Sequence, residues 1–590
     1  MEVQNSVHTF HLAVMGIGFT IDTPVRVAKY GISSVISLAD DLLMEKMRAF
    51  YSQKHGLAFH PIPNMEKDHR AKRITAYLNL INKLVQDSFQ SLKESVGNEK
   101  GELSYYLELL PDTSEIKTQF HSKLKSSNLQ NAHKSILDKL KPGAIDVNIM
   151  TLLDKPNYLN KELLPDIYND AHAALRGYSK SDLESSLILS AGINTKLYSY
   201  LAEFDCFYPD ENWNFTKRII LKVADYKSAF IQGKYLARKG LWVSEFRIES
   251  GLNCGGHAFI SDGSLLGPVL EEFKAEKENL MKELYSDYVA ALKQRNKPQP
   301  SSPGTIHITV QGGVGSAQEH KFLLNHYKLD SIGWGSPFLL VPEVANIDPY
   351  TLDLLQKAGE SELETSRISP INKPFNSLKS NTKDIEKLKR IKQGNPGSNC
   401  PKGILAFNKE FTEKAICTAS REYQSAKIKE IKSLDLTPEE KAKKINEITV
   451  KYCICVGLGT SALLVNGLDT QIEGEGVSVC PGPNLAYFTD TSTLAITVDH
   501  IYGRKNILKR KDRPHVFIKE LELNIDFLTQ EVKENKSSDL RDFSLYHKRL
   551  SEGIRYYKEL FSENLTLDSK ANLDALHKLE DKLKELKKYN

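Results

Sequence analysis

Between His307 and Glu343 the chain reads HITVQGGVGSAQEHKFLLNHYKLDSIGWGSPFLLVPE. A β-branched apolar run ends in Gly312-Gly313-Val314-Gly315, a helix-like segment follows, and a second short apolar run closes on Gly333-Trp334-Gly335-Ser336. The order is therefore strand, glycine turn, helix, strand, glycine turn. Glycines at strand ends let backbone N–H groups approach an anion, and a helix starting just beyond adds its positive end. Two such turns in succession match the paired phosphate loops after the seventh and eighth strands of a (β/α)8 barrel. Strand-to-helix turns also need glycine for geometry alone, so the upstream sequence has to carry the case.

Upstream, apolar runs of strand length recur. His11 to Gly16 ends in Gly16-Ile17-Gly18, and a helix-like VRVAKYG stops at Gly31 before the second run, Ile32 to Ser37. Ile145 to Thr151 reads as a third strand, Ser186 to Ser190 as a fourth, Arg218 to Lys222 as a fifth and Ser244 to Glu249 as a sixth. With His307 to Val310 and Ser331 to Ile332 the count is eight, most of them separated by helix-length segments. Such alternation implies parallel strands, and eight imply closure; an open doubly wound sheet is the competing arrangement. The expectation is an α/β chain with a (β/α)8 TIM barrel over 1–37 and 142–345, a helical insertion over 38–141 after strand 2, a cysteine-containing region over 346–500 and a helical region over 501–590. In the insertion, His55, His60 and His69 are too unevenly spaced for metal ligands and read as solvated or capping groups.

At 590 residues the chain is too long for one ordinary domain. A net charge of +4 is small for so many charged side chains and points away from nucleic acid. No apolar run approaches the roughly 20 residues that cross a bilayer, and the first residues lack a basic n-region and cleavage site. Seven cysteines, an odd number, argue against a disulfide framework and for a reducing cytoplasm.

Reactive groups in such a barrel lie at the C-terminal strand ends. That rule selects Gly16, Gly18, Ser37, Asn148, Ser190, Lys222, Glu249 and the loop Ser250-Gly251-Leu252-Asn253-Cys254-Gly255-Gly256-His257. His257 suits a general base because an imidazole titrates near working pH, although a histidine beside glycines can also cap a helix. The loop SGLNCGGH resembles the glycine-glycine-histidine loop of the nitronate monooxygenase (2-nitropropane dioxygenase) family and its enoyl-acyl-carrier-protein reductase relatives, which are FMN-dependent TIM barrels. The likeness extends to MGIGFTIDTP, to Asn148, and to QGGVG and GWGSPF, and covers 10–37 and 142–343.

The resemblance implies FMN as cofactor and His257 as the catalytic histidine, moving a proton next to an activating group. It also implies that Gly312, Gly313, Gly315, Gly333, Gly335 and Ser336 hold the FMN phosphate, while Gly16, Gly18, Asn148, Gly255 and Gly256 lie around the cofactor. Lys222 resembles the lysine that many FMN barrels, glutamate synthase among them, place near flavin N1 and the C2 carbonyl, where a cation stabilises the reduced ring. Two departures stand out: the insertion is far longer than these relatives need, and Cys254 stands where many carry alanine. Cys254 is either a thiol facing the flavin or a small packed residue.

Beyond the barrel, Ser361 to Ser377 reads as a Pro/Ser/Asn-rich crossing. Cys400, Cys417, Cys453 and Cys455 then concentrate in one region, which suggests a metal or iron–sulfur site against buried free thiols as the default reading. Asn399-Cys400-Pro401 with Gly403 resembles the end of the cluster motif after the glutamate synthase FMN barrel, although no CxxC occurs; Cys480 is a further ligand or a turn residue. Leu573, Leu576, Leu579, Leu583 and Leu586 form one stripe on a charged helix, which packs back on the chain or contacts another subunit.

The functional expectation is a cytoplasmic FMN-dependent oxidoreductase, nitronate monooxygenase-like or enoyl reductase-like, acting on a small-molecule or acyl substrate, with no nucleic-acid or membrane partner. The rival readings are a flavin-free phosphate-substrate lyase or isomerase, with Lys222 as Schiff-base or electrostatic lysine, and a non-catalytic scaffold barrel.

Overall fold

The structure is a computed structural model that describes residues 6–190, 192–253, 255–257, 263–488, 490–533, 543–563, 569–586 and 588. Eight parallel strands close into a barrel in sequence order: β1 (Phe10–Leu12), β2 (Ser34–Ser37), β3 (Ile145–Met150), β4 (Ser186–Ser190), β5 (Arg218–Val223), β6 (Val243–Glu249), β7 (His307–Gln311) and β8 (Ser331–Trp334). Closure is made by β1 against β8, with Phe10 opposite Ile332 and Leu12 opposite Trp334. The open sheet is thereby excluded. β1 is shorter than its apolar run, because after the Ala13 N–H bonds the Trp334 carbonyl the chain turns away at Gly16, whose φ is +96°.

Inside the ring the side chains form layers. Val35, Ile188 and Ile220 pack with Val14 as an apolar layer. A polar layer sits elsewhere in the interior, where Arg247 Nε donates to Glu245 Oε1 at 2.8 Å, near His11 and Asp146. Burial drives the His11 imidazole well below its usual range and raises the Asp146 carboxyl, so both sit in the interior uncharged more readily than in water.

The insertion is helical. α1 (Asp41–Lys54) begins at Asp40, whose carboxylate accepts from the Leu43 N–H at 3.0 Å. α2 (His69–Glu94) buries Ile74, Tyr77, Leu78, Ile81 and Val85, the spacing of one helical face, and ion pairs from Arg70 and Arg73 to Asp41 tie it to α1. It lies against α3 (Asp170–Ser179), where Gly177 leaves only 2.8 Å between an added Cβ and the Ala71 carbonyl oxygen. The insertion therefore packs on the barrel's outer layer and shares its core. His55 and His60 are exposed, and His69 meets the Glu66 carbonyl at 3.2 Å.

After β8 the chain crosses the C-terminal mouth. The segment read as a crossing is an antiparallel hairpin, β9 (Leu363–Ser366) and β10 (Phe375–Leu378), and α4 (Ile454–Val465) lies beyond it. Every residue of α4 from Ile454 to Leu463 is buried. Among the described residues no single helix is long and apolar enough to cross a membrane; one bent pair, Pro438–Thr449 with Ile454–Val465, meets that test only by length and composition. Helices α5 (Val516–Lys533), α6 (Phe543–Glu563) and α7 (Ser569–Leu586) pack on one another, and Leu576, Leu579, Leu583 and Leu586 are buried among them. The leucine stripe thus packs back on its own chain.

Candidate functional site

A cavity of about 150 Å³ occupies the C-terminal mouth of the barrel. Its floor comes from strand ends: Val14, Gly16 and Ile17 after β1, Val35 and Ser37 on β2, Asn148 on β3, Ile188 on β4 and Lys222 on β5. Its roof comes from the region after the barrel, through Phe375, Ile404, Leu405, Ile454, Cys455 and Leu458. An apolar roof over a floor that mixes Val14, Val35 and Ile188 with Ser37, Asn148 and Lys222 suits a flat, conjugated ring with polar edge atoms.

The polar edge is connected. Lys222 Nζ lies 2.9 Å from Glu249 Oε2, and Gln311 Nε2 donates to Glu249 Oε1 at 2.9 Å. Arg247 also lines the cavity, with its guanidinium on the Glu245 carboxylate instead. Lys222 is thus an ion-paired cation at the end of β5.

His257 lies at the cavity's edge as expected, held from several sides. Its carbonyl accepts from Asn253 Nδ2 at 2.7 Å, and Asn253 Oδ1 accepts from Asn376 Nδ2 at 2.6 Å. Its Nε2 lies 2.8 Å from Ser369 Oγ, and the Phe375 ring packs edge-on with centroids 5.1 Å apart. Burial, aided by nearby Lys373, brings the imidazole down to about 4. The ring is therefore neutral through the neutral pH range, and its titration lies below the working pH assumed from its residue type. Gly255 is required by contact: an added Cβ would stand 2.0 Å from the Cys480 carbonyl oxygen. Gly256, at φ +85°, has nothing within 4 Å of an added Cβ and opens onto the cavity. Cys254 lies outside the described residues.

The loop's two ends are clamped from a distant helix. Glu520, buried on α5, accepts from the Gly251 N–H at 2.8 Å and the Leu266 N–H at 2.7 Å. Burial raises this carboxyl to about 7.

The glycine turns do something different from what their pattern suggested. Gly312, Gly313, Gly315, Gly333, Gly335 and Ser336 are not among the cavity's lining residues. The Gly315 N–H donates to Glu319 Oε2 at 2.9 Å, so an internal carboxylate takes the place of a phosphate oxygen. Glu319 Oε1 in turn accepts from Arg513 Nη1 at 2.7 Å and from the Val516 N–H at 2.8 Å. Arg513 Nη2 donates to the Gly313 carbonyl at 2.8 Å, and the Gly482 N–H donates to Ser336 Oγ at 3.0 Å. An added Cβ on Gly333 would strike Gln311 and His11. These loops are latched to the segment from Cys480 to Val516. The residues around the cavity fit the ring of a flavin, whereas the glycine loops in this arrangement do not fit its phosphate.

Gly16 lines the cavity, but Gly18 does not: its N–H bonds the Leu458 carbonyl at 2.9 Å, and an added Cβ would stand 2.7 Å from the Gly459 Cα. Gly18 is where the roof helix docks. The metal reading is also corrected. Cys400, Cys417, Cys453 and Cys455 do come together, as free thiols, with Cys400 next to Cys417 and Cys453, and Cys453 next to Cys455. Among the described residues no group of three or more His, Cys, Asp or Glu side chains is arranged to hold a metal ion. Cys480 is a buried lining residue whose thiol burial pushes up to about 12.

No family model matches the sequence, and no curated protein matches it. Among solved structures the chain is similar to FabK from Thermotoga maritima, at 11% identity over 90% of this chain and 98% of that one, with a TM-score of 0.36. It is also similar to the enoyl reductase domain of MlnA from Bacillus amyloliquefaciens, at 15% identity over 74% and 87%, with a TM-score of 0.32. Nitroalkane oxidase from Streptomyces ansochromogenes matches at 11% identity over 84% and 94%, with a TM-score of 0.33. At scores this low the likenesses carry no argument, and the barrel stands on its own strand pairing.

Proposed function

We propose that the barrel mouth is the reaction site of a flavin-dependent oxidoreductase, with the flavin ring in the slot between the strand ends and the roof. The observation that carries this reading is the cavity itself, roofed by apolar side chains and lined by Asn148, Lys222, Arg247, Glu249 and His257. When bound, the flavin supplies a two-electron acceptor or donor at N5. The protein's own groups do the rest. His257, neutral and fixed by Ser369 and Asn253, takes or returns a proton at a substrate carbon next to an activating group. The Lys222–Glu249 pair sets the charge along one edge of the slot, and Gln311 fixes the carboxylate's orientation. Ile404, Leu405 and Leu458 keep water from the reacting atoms.

The same groups serve a nitronate monooxygenase-like oxidation and an enoyl reductase-like reduction of a small-molecule or acyl substrate. Closure of the glycine loops by Glu319 weighs against a flavin-free lyase that binds its substrate's phosphate there. The test is titration of the purified full chain with riboflavin and FMN, followed by flavin absorbance and fluorescence quenching. Saturable binding that His257→Ala preserves, together with turnover that it abolishes, is the expected outcome. A colourless protein that quenches neither flavin overturns the reading.

A further inference from the structure

The cavity holds a cation whose bonding is incomplete. Alternate residues of a strand share a face, and on β6 that face carries Glu245, Arg247 and Glu249, of which Arg247 and Glu249 line the cavity. Glu249 is committed to Lys222 and Gln311. Glu245 is committed as well, since its Oε1 accepts from Arg247 Nε at 2.8 Å and from Thr309 Oγ1. Arg247 is 3% exposed, and the Nε bond is the one hydrogen bond its guanidinium makes among the described residues. A guanidinium has five N–H donors, so four of them, on Nη1 and Nη2, have no protein acceptor. Neither Nη is among the buried polar atoms left without a partner, so both keep accessible surface, on a side chain that lines the cavity. A charge this deep with most of its donors unused is costly, and the cavity is where acceptors can reach it. Ser37 and Asn148, paired in the β2–β3 register, line the same cavity and make no side-chain hydrogen bond among the described residues.

We propose that Arg247 binds the carboxylate of the substrate, so that the site takes small free acids in preference to their amides or esters. Nη1 and Nη2 form a planar fork that matches two coplanar oxygens, and a carboxylate presents such a pair with a negative charge to share between them. An amide turns one of its two positions into a donor facing the Nη donors, and an ester brings no charge. The two carboxylates of β6 do not compete for the fork, because Lys222 neutralises Glu249 and the Nε edge of Arg247 holds Glu245. Lys222 cannot do the same work, since its ammonium is spent on Glu249. An acid anchored at Arg247 is fixed at one end while its carbon chain meets the apolar roof, with His257 at the cavity's edge. The inference rests on reading the barrel mouth as the reaction site and selects the small-molecule over the acyl substrate, but it does not depend on which cofactor is bound.

The probe is acetate, titrated into the full chain carrying isotope-labelled methionine methyl groups and no added flavin. The chain has 7 methionines, and Met150 lines the cavity, so its methyl NMR signal, assigned through Met150→Leu, reports on this site. Acetate should shift that signal saturably, nitrate, also planar and anionic, should compete, and acetamide should bind about tenfold more weakly or not at all. Arg247→Lys keeps a charge beside Glu245 but loses the fork, and should weaken acetate by about tenfold. An acetate affinity that this variant leaves unchanged overturns the proposal. Should the variant fail to fold by circular dichroism, the native chain decides alone: equal binding of acetate and acetamide, or no shift from acetate, overturns it. Repeating the titration with FMN separates this inference from the flavin reading. Acetate that still binds beside FMN assigns the fork to the substrate, whereas FMN that displaces it shows Arg247 meeting the cofactor and overturns the proposal. A chain that binds acetate but no flavin overturns the flavin reading alone.

Discussion

Arg513 is the keystone of the latch over the glycine turns, and removing it offers a quantitative test. Its guanidinium makes three bonds: to Asn484 Oδ1 at 2.8 Å, to Glu319 Oε1 at 2.7 Å and to the Gly313 carbonyl at 2.8 Å. The Arg513 and Glu319 side chains are only 7% and 4% exposed. Arg513→Ala therefore leaves a carboxylate out of water with only the Gly315 and Val516 N–H groups as donors. Breaking a buried pair from one side costs about 3–5 kcal/mol, because the orphaned charge keeps its desolvation penalty. Burial pushes the Glu319 carboxyl up, while Arg513 and His515 hold it low, so without Arg513 it gains protons more readily. Adding Glu319→Gln removes the charge, and the double variant should regain roughly 1–3 kcal/mol over Arg513→Ala alone. Urea unfolding of the four proteins, followed by tryptophan fluorescence, closes the cycle. A loss below about 1 kcal/mol in Arg513→Ala would mean that the pair behaves as a surface contact, and the latch as described would be wrong.

Further outcomes follow from the same geometry. Glu520 is raised to about 7 from 4.5 in the unfolded chain, so its stabilising effect is complete below pH 4.5 and is lost as pH rises to 7. That amounts to about 3 kcal/mol, and a pH series of unfolding midpoints should show a slope over this window that Glu520→Gln flattens. With His257 near 4, kcat/KM should have an acid limb close to pH 4, whereas a limb near 6.5 would place the imidazole in water. If the glycine turns stay latched, riboflavin should bind about as tightly as FMN, and a strong preference for FMN would show that the Cys480–Val516 segment lifts off them. Gly18→Ala should cost about 1–3 kcal/mol and loosen the roof, seen as faster proteolysis near α4, because its methyl meets backbone at 2.7 Å.

Much of the barrel was legible because buried parallel strands announce themselves as short apolar runs, and β2 to β8 appear where those runs lie. The loop with His257 was legible too, since glycines at a strand end signal close backbone approach. What escaped was long-range. Phe375, Leu405 and Leu458 carry no local sign that they face the mouth, and β9–β10 hid in a stretch dominated by Pro, Ser and Asn. The glycine turns misled for a local reason. Ser316 through Glu319 is a helix-capping pattern: Ser316 Oγ accepts from the Glu319 N–H at 3.2 Å, while the Glu319 carboxylate reaches back to Gly315. The glutamate that occupies the turn was written four residues past the glycine. The cysteines were read as one candidate ligand set because they share a region, and they do lie together, yet among the described residues no group is arranged to hold a metal ion.

The clamp on the His257 loop has a consequence for how the chain matures. Residues 251 and 266 are held by a carboxylate more than 250 positions downstream, so during synthesis every barrel strand is made long before the helix that holds this loop. The mouth therefore waits on α5, and a chain ending before residue 520 would keep all eight strands while leaving residues 251 and 266 unheld.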